Sequence, residues 1–226
     1  MDLSAKLAAL EKIYAIYAEF AAPLDLACKK YCAHCCTSSV VVTTVEGYKI
    51  FKLLEAEGNL RQIDQIQQAS VHRSFQPQIT TNQLANMCAE GKEPPAEQST
   101  DWKPCPFLTD LQCPIYRVRP FGCRCLVSRN DCGEKGYAEM DDFVLSVNTI
   151  ILQAIEHLDE NGCTGNLIDV LGLLASEKKR QAYENNTLQC SAAGLIANQP
   201  LKVLMIPPEH RAKMEPILQS LRKIRI

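Results

Sequence analysis

A chain of 226 residues, 46% of them hydrophobic, is long and apolar enough for one medium domain, which excludes general disorder. Lys and Arg total 24 against 26 Asp and Glu, a net charge of -2, so no bulk attraction to nucleic acid or an anionic membrane is expected. Ten Gly and 12 Pro exclude collagen-like and low-complexity classes and leave 12 cysteines as the outlier.

In chain order, the first element is a helix over 3–22. Leu3, Leu7, Leu10, Tyr14, Tyr17, Ala21 and Leu24 follow one stripe, Asp2 or Ser4 caps the start and Pro23 ends it. Its scattered charges do not read as a secretion signal, and no apolar run approaches a membrane span. A cysteine-rich stretch follows, then the short extended run VVVTT. VEGYKIFKLLEAEG predicts a helix ending at Gly58. Residues 60 to about 75 are polar, with Leu60, Ile63, Ile66 and Val71 as a weak helical face. TTNQLANMCAEG predicts a short helix ending at Gly91. Residues 91–104 form a charged, Pro-rich loop. Pro104, Pro106, Pro114 and Pro120 then forbid a continuous helix and deny donors to a central strand.

The last hundred residues predict an amphipathic helix from Asp141 to about Asp159, with Val144, Val147, Ile151, Ala154, Ile155 and Leu158 inward. A second runs from Leu167 to Tyr183, with Lys178, Lys179 and Arg180 late, where cations suit the helix dipole. LKVLMIPP reads as extended, and Pro208 opens a terminal helix toward Ile226. The fold class is mainly α: one domain over 1–226, with long irregular Cys- and Pro-rich loops.

Eight cysteines fall into two groups: Cys28, Cys32, Cys35 and Cys36, then Cys105, Cys113, Cys123 and Cys125. Neighbouring Cα atoms lie about 3.8 Å apart, below the roughly 4.4–6.8 Å of an ordinary disulfide, so Cys35 and Cys36 are a poor pair. Without an export signal the expected compartment is the reducing cytoplasm, where such a pattern reads first as metal binding. A cation offsets the charge of crowded thiolates. Zinc takes four Cys or His ligands, and an iron–sulfur cluster takes four Cys. The crowding of the first group favours a polynuclear 4Fe–4S centre over zinc. Cys88, Cys163 and Cys190 stand alone and read as free structural thiols. Cys132 sits in a turn as an accessory candidate, and His34 lies inside the first group. His72, His157 and His210 read as surface residues.

Cys32-x2-Cys35-Cys36 with upstream Cys28, followed by Cys105-Pro106-Phe107-Leu108, Cys113-Pro114-Ile115-Tyr116, Arg119-Pro120 and Cys123-Arg124, resembles the YkgJ-type cysteine-cluster (CxxCxxCC) family of zinc- or iron-chelating domains. The resemblance covers about 28–125, with the 3–22 helix and the 141–226 helices packed on that core. One departure is that three residues, rather than two, separate Cys28 from Cys32. The resemblance implies one metal or iron–sulfur site shared by both groups, the eight cysteines forming the ligand pool. Arg117, Arg119, Arg124 and Arg129 cluster around Cys123. Arg124 and Arg119 are the expected donors to ligand sulfur, since four thiolates around a divalent ion leave net negative charge.

Two alternatives stay open. Some larger relatives resemble flagellin lysine N-methylases, which implies an iron–sulfur, S-adenosylmethionine-dependent methyltransferase-like enzyme. A structural zinc module presenting its first helix to a protein partner is the other. Cys28-x3-Cys32-x2-Cys35 is also the radical-SAM spacing, but the alternating strands and helices of that fold are missing. No nucleotide-binding glycine loop and no metalloprotease motif is present.

Overall fold

The computed structural model describes residues 1–29, 31–69, 75–96 and 103–224. Val71 and His72, and residues 97–102 of the Pro-rich loop, lie outside the described residues.

The architecture is mainly α. Among the described residues there are ten helices and one three-stranded sheet. Helix α1 spans Leu3–Ala21, capped by Asp2, whose carboxylate accepts from the Ala5 N–H at 2.8 Å. Leu10, Tyr14 and Tyr17 are buried as the stripe predicts. Ala9, Ile13 and Lys6 share that face, while Leu3, Leu7 and Ala21 are half-buried. Strand β1 (Val41–Thr43) leads into α2 (Thr44–Ala56), followed by α3 (Arg61–Ala69) and α4 (Thr81–Ala89). Gly58 and Gly91 terminate α2 and α4 with φ of 71° and 67°, a conformation that glycine adopts without strain. The Pro-rich middle holds a 3-10 turn at Tyr116–Val118 and two one-turn helices, α5 (Phe121–Arg124) and α6 (Cys132–Lys135). The long helix α7 (Asp142–Leu158) buries all six residues assigned to its inner face. It packs on α1 and α4.

Three sequence expectations need correction. First, Leu167 to Tyr183 is two helices, α8 (Leu167–Ala175) and α9 (Glu177–Glu184), because Ser176 takes an extended ψ of 113°. Lys178, Lys179 and Arg180 therefore open α9 rather than close a longer helix. Arg180 folds back, and its guanidinium donates to the Leu174 carbonyl at the end of α8 at 2.9 Å. Second, the later strands are β2 (Cys163–Asn166) and β3 (Leu195–Ala197), and no strand forms in the LKVLMIPP run. That run is held by a side chain: Gln153 donates to the Val203 carbonyl at 2.8 Å and accepts from the Met205 N–H at 3.0 Å. The sheet order is β1-β2-β3, both pairs antiparallel, with Val41 opposite Asn166 and Cys163 opposite Ala197. Third, Cys163 and Cys190 form a disulfide, Cα atoms 5.8 Å apart. The sheet holds Cys163 in the core, and the segment leading into β3 carries Cys190 back to it. Neither is a free thiol.

Helix α10 (Arg211–Arg222) closes the chain, opened by a 3-10 turn at Pro208–His210, and packs on α1. No helix among the described residues is long and apolar enough to cross a membrane.

The main polar tie inside the core is Asp159, just past α7. Its carboxylate accepts from Lys6 Nζ at 3.3 Å, the Tyr183 hydroxyl at 2.7 Å and the Val45 N–H at 2.9 Å. Lys6 and Asp159 are 2% and 0% exposed. A buried charge needs partners of this kind, because its desolvation costs several kcal/mol, roughly.

Candidate metal centre

Two stretches far apart in sequence meet through the backbone. The Cys105 N–H donates to the Cys36 carbonyl at 2.9 Å and the Ser38 N–H to the Lys103 carbonyl at 2.8 Å. Thr37 and Pro104 face each other between these bonds as an antiparallel bridge. Proline donates nothing, so the ladder uses the donors on either side of it. The two cysteine groups are thereby joined at their facing ends.

The second group is then pinned by apolar anchors. Phe107, Ile115 and Phe121 are 3%, 2% and 0% exposed. Each lies two residues from a cysteine: Cys105, Cys113 and Cys123. The motif letters F, I and F therefore fix three half-buried thiols by burying their neighbours. Glu46 adds a polar clamp from α2. Its carboxylate accepts from the Phe121 N–H at 2.6 Å, the Tyr14 hydroxyl at 2.8 Å and the Thr43 N–H at 3.0 Å. One buried side chain thus ties α1, β1, α2 and the start of α5. Tyr17 packs edge-on against Phe121, ring centroids 4.8 Å apart.

The result is a cavity of about 640 Å³ whose wall carries Cys28, Cys32, Cys35, Cys36, Cys105, Cys113 and Cys123. Cys125 is not on that wall. It is buried, its thiol 3.6 Å from the Gly122 carbonyl, and burial pushes its pKa up to about 12. Of the other free cysteines, Cys88 is exposed on α4 and Cys132 begins α6. His34 is exposed and does not line the cavity.

The thiols feel one another. The Cys35 S–H donates to Cys36, which raises Cys35 and lowers Cys36. Negative charge on Cys105, Cys123 and Cys113 acts on Cys36 in the opposite sense. Burial, then the charges of Cys105 and Cys113, raise Cys123. Cys105 and Cys113 are raised chiefly by burial. Arg119 opposes these rises at Cys35, Cys113 and Cys123. It stacks on Tyr116, 4.3 Å from the ring centroid. Arg124 also lines the cavity. Its guanidinium donates to the Arg119 carbonyl at 2.8 Å and lies 4.2 Å from the Tyr14 ring centroid, so it braces the loop. Arg117 pairs with Glu57 and Arg129 with Asp141.

A donor set of soft sulfurs on one wall suits zinc or an iron–sulfur cluster in chemistry. The fit has a second support. Tyr17 lines the cavity, and its hydroxyl is buried and has no hydrogen-bond partner among the described residues. An orphaned buried hydroxyl beside the cavity is a donor that the fold leaves unused. Among the described residues, however, no three Cys, His, Asp or Glu side chains already surround a point that would hold an ion. The thiols line the space without closing on it.

Tyr14, Tyr17 and Glu46 are the site residues that sequence reasoning missed. The tyrosines stood in the α1 stripe, but only as core residues. Glu46 gave no signal beyond its place at the start of a helix.

Comparison with protein families, curated proteins and solved structures finds no match for this chain.

Proposed function

We propose that this protein binds a metal, zinc or an iron–sulfur cluster, through thiols of both cysteine groups. Cys36, Cys105, Cys113 and Cys123 form the principal ligand set, with Cys35 hydrogen-bonded beside them. The observation that carries this reading is the ladder between residues 36–38 and 103–105, which draws both groups to one cavity wall. Cys105, Cys113 and Cys123 are raised, chiefly by burial, so these thiols are unfavourable neighbours when ionised, and a cation reverses that balance. When bound, the metal supplies cross-linking between the two loops and, as a cluster, electron transfer. Arg119 offsets the remaining negative charge. The three anchored cysteines all belong to the motifs shared with the cysteine-cluster family, which supports kinship with it. A cytoplasmic setting is part of the proposal, supported by ten free thiols and opposed by the Cys163–Cys190 disulfide.

A second reading, an iron–sulfur enzyme of the methylase type, draws on the cavity itself. About 640 Å³ exceeds the space of one ion and leaves room for a small substrate. Binding of one S-adenosylmethionine per chain in calorimetry favours it, and no binding discards it.

The main reading is tested on protein purified without oxygen, by elemental and sulfide analysis. At least one zinc, or iron with matching sulfide, is expected per chain. Cys36→Ser and Cys113→Ser are expected to lose that metal, while Cys88→Ser, altered on the surface of α4, keeps it. Full metal in both of the first two variants overturns the ligand assignment.

A further inference from the structure

Charge on the cavity wall is segregated by sign. Lys29, Arg117, Arg119 and Arg124 line it and no Asp or Glu does, although Asp and Glu outnumber Lys and Arg in the whole chain. Two of these cations are already engaged. Arg117 pairs with Glu57, and Arg124 donates to the Arg119 and Arg117 carbonyls at 2.8 and 3.4 Å. The bonds from Arg124 hold the turn on which Arg119 stands. The Arg119 guanidinium stacks on Tyr116, 4.3 Å from the ring centroid, and makes no ion pair or side-chain hydrogen bond among the described residues. Stacking occupies a face of the guanidinium and leaves the N–H donors in its plane for a planar anion.

The apolar part of the wall is as localised. Among the described residues nine large apolar side chains are exposed, and four of them, Tyr31, Leu111, Tyr116 and Leu126, belong to this one cavity. Single exposed apolar residues are ordinary, whereas a group around one opening marks a binding surface. The volume of about 640 Å³ is that of a small-molecule site.

We propose that the cavity binds a small organic monocarboxylate with an apolar body, its carboxylate on Arg119 and its body against Leu111 and Leu126. This goes beyond metal binding and does not depend on it, because the stacked arginine and the apolar rim are positioned by the fold itself. The charge balance selects the head group. Four thiolates on a divalent ion make a dianion, so a loaded centre takes up part of the wall's positive charge, and Glu57 takes up another part. The positive remainder suits one negative charge rather than the two of a phosphate monoester, and a carboxylate matches the fork of a guanidinium.

Calorimetry on the native protein with 1-naphthoate, octanoate and neutral 1-naphthamide tests this. One naphthoate or octanoate is expected per chain. Naphthamide, of the same shape but uncharged, should bind about tenfold more weakly or worse, the scale of one charge-assisted hydrogen bond. Added salt should weaken the carboxylates and leave the amide unchanged, a comparison that needs no variant to fold. Arg119→Gln should remove the preference for naphthoate over naphthamide, while Leu126→Ser should weaken both. Equal affinity for the acid and the amide, full naphthoate affinity in Arg119→Gln, or no binding of either carboxylate at millimolar concentration overturns the proposal. A protein without metal that still binds naphthoate sinks the metal reading alone, and a metal-loaded protein that binds neither carboxylate sinks this inference alone.

Discussion

Tyr17 shows how a single atom separates packing from function. Its ring packs on Phe121 beside the cavity, yet its hydroxyl is buried without a partner among the described residues. An unsatisfied buried hydroxyl costs about 1–3 kcal/mol. Tyr17→Phe is therefore expected to leave the metal-free protein as stable as before or more so, in urea unfolding. The metal-loaded protein should instead release its metal more readily to a chelator. Loss of stability in the metal-free variant would mean that the hydroxyl is satisfied by the protein, and its role at the cavity falls. Lys6 gives the opposite lesson. The stripe reading treats it as one charge among others on α1, whereas it is buried against Asp159. Burial raises the Asp159 carboxyl from 3.8 to about 6, and Lys6 holds it lower than burial alone would. The native state thus keeps a proton that the unfolded chain gives up between about pH 4 and pH 6. The stability from this group is fully present below its unfolded value and is lost as pH rises through about 6. Lys6→Met strands the carboxylate, at a cost of about 3–5 kcal/mol at pH 8. The cost should be smaller at pH 5, where the carboxyl is largely protonated. Equal losses in urea unfolding at both pH values would refute this account.

The elements that follow one clear period were legible in the chain. The inner face of α7 matched residue for residue, because six apolar positions at helical spacing leave no alternative period. The stops at Gly58 and Gly91 were equally readable, since a left-handed residue ends each helix. The break at Ser176 was not, because the residues after it, Glu177 to Gln181, are good helix formers and only the local ψ at Ser176 differs. The run VVVTT was read as extended and holds β1, but the two later strands hid for another reason. CTGN and LIA are four and three residues long, and CTGN carries one β-branched residue among four fully enclosed positions. Such strands exist through pairing, not through propensity. At the candidate site, the two cysteine groups and the motif letters around them were plain in the sequence. Which cysteines share a wall was not, since that depends on a ladder of two backbone bonds. Cys125, grouped with the others by spacing, is absent from the cavity wall.

Across the molecule, the Cys163–Cys190 disulfide joins the middle strand of the sheet to the segment before β3, closing a separation of 27 residues. The sequence could not announce this pair, because the sheet that unites them was itself hidden. A cross-link of this size contributes about 2–4 kcal/mol, mainly by restricting the unfolded chain. Cys190→Ser is expected to lower the unfolding free energy in urea by that amount while leaving the metal content of the native protein unchanged. A reductant should produce the same shift in the unaltered protein. A variant as stable as the parent would show that the bond adds no net constraint in solution.

The ladder between residues 36–38 and 103–105 also sets a schedule for synthesis. A ribosome delivers Cys28 to Cys36 early, but their facing partner, Cys105, follows 69 positions later. At about 5–20 residues per second, the nascent polypeptide exposes four sulfurs for roughly 3–14 s before the matching half emerges. During that interval the early half is open to any thiophilic ion or oxidant it meets, so its fate depends on what the surrounding fluid contains as well as on what the finished protein selects.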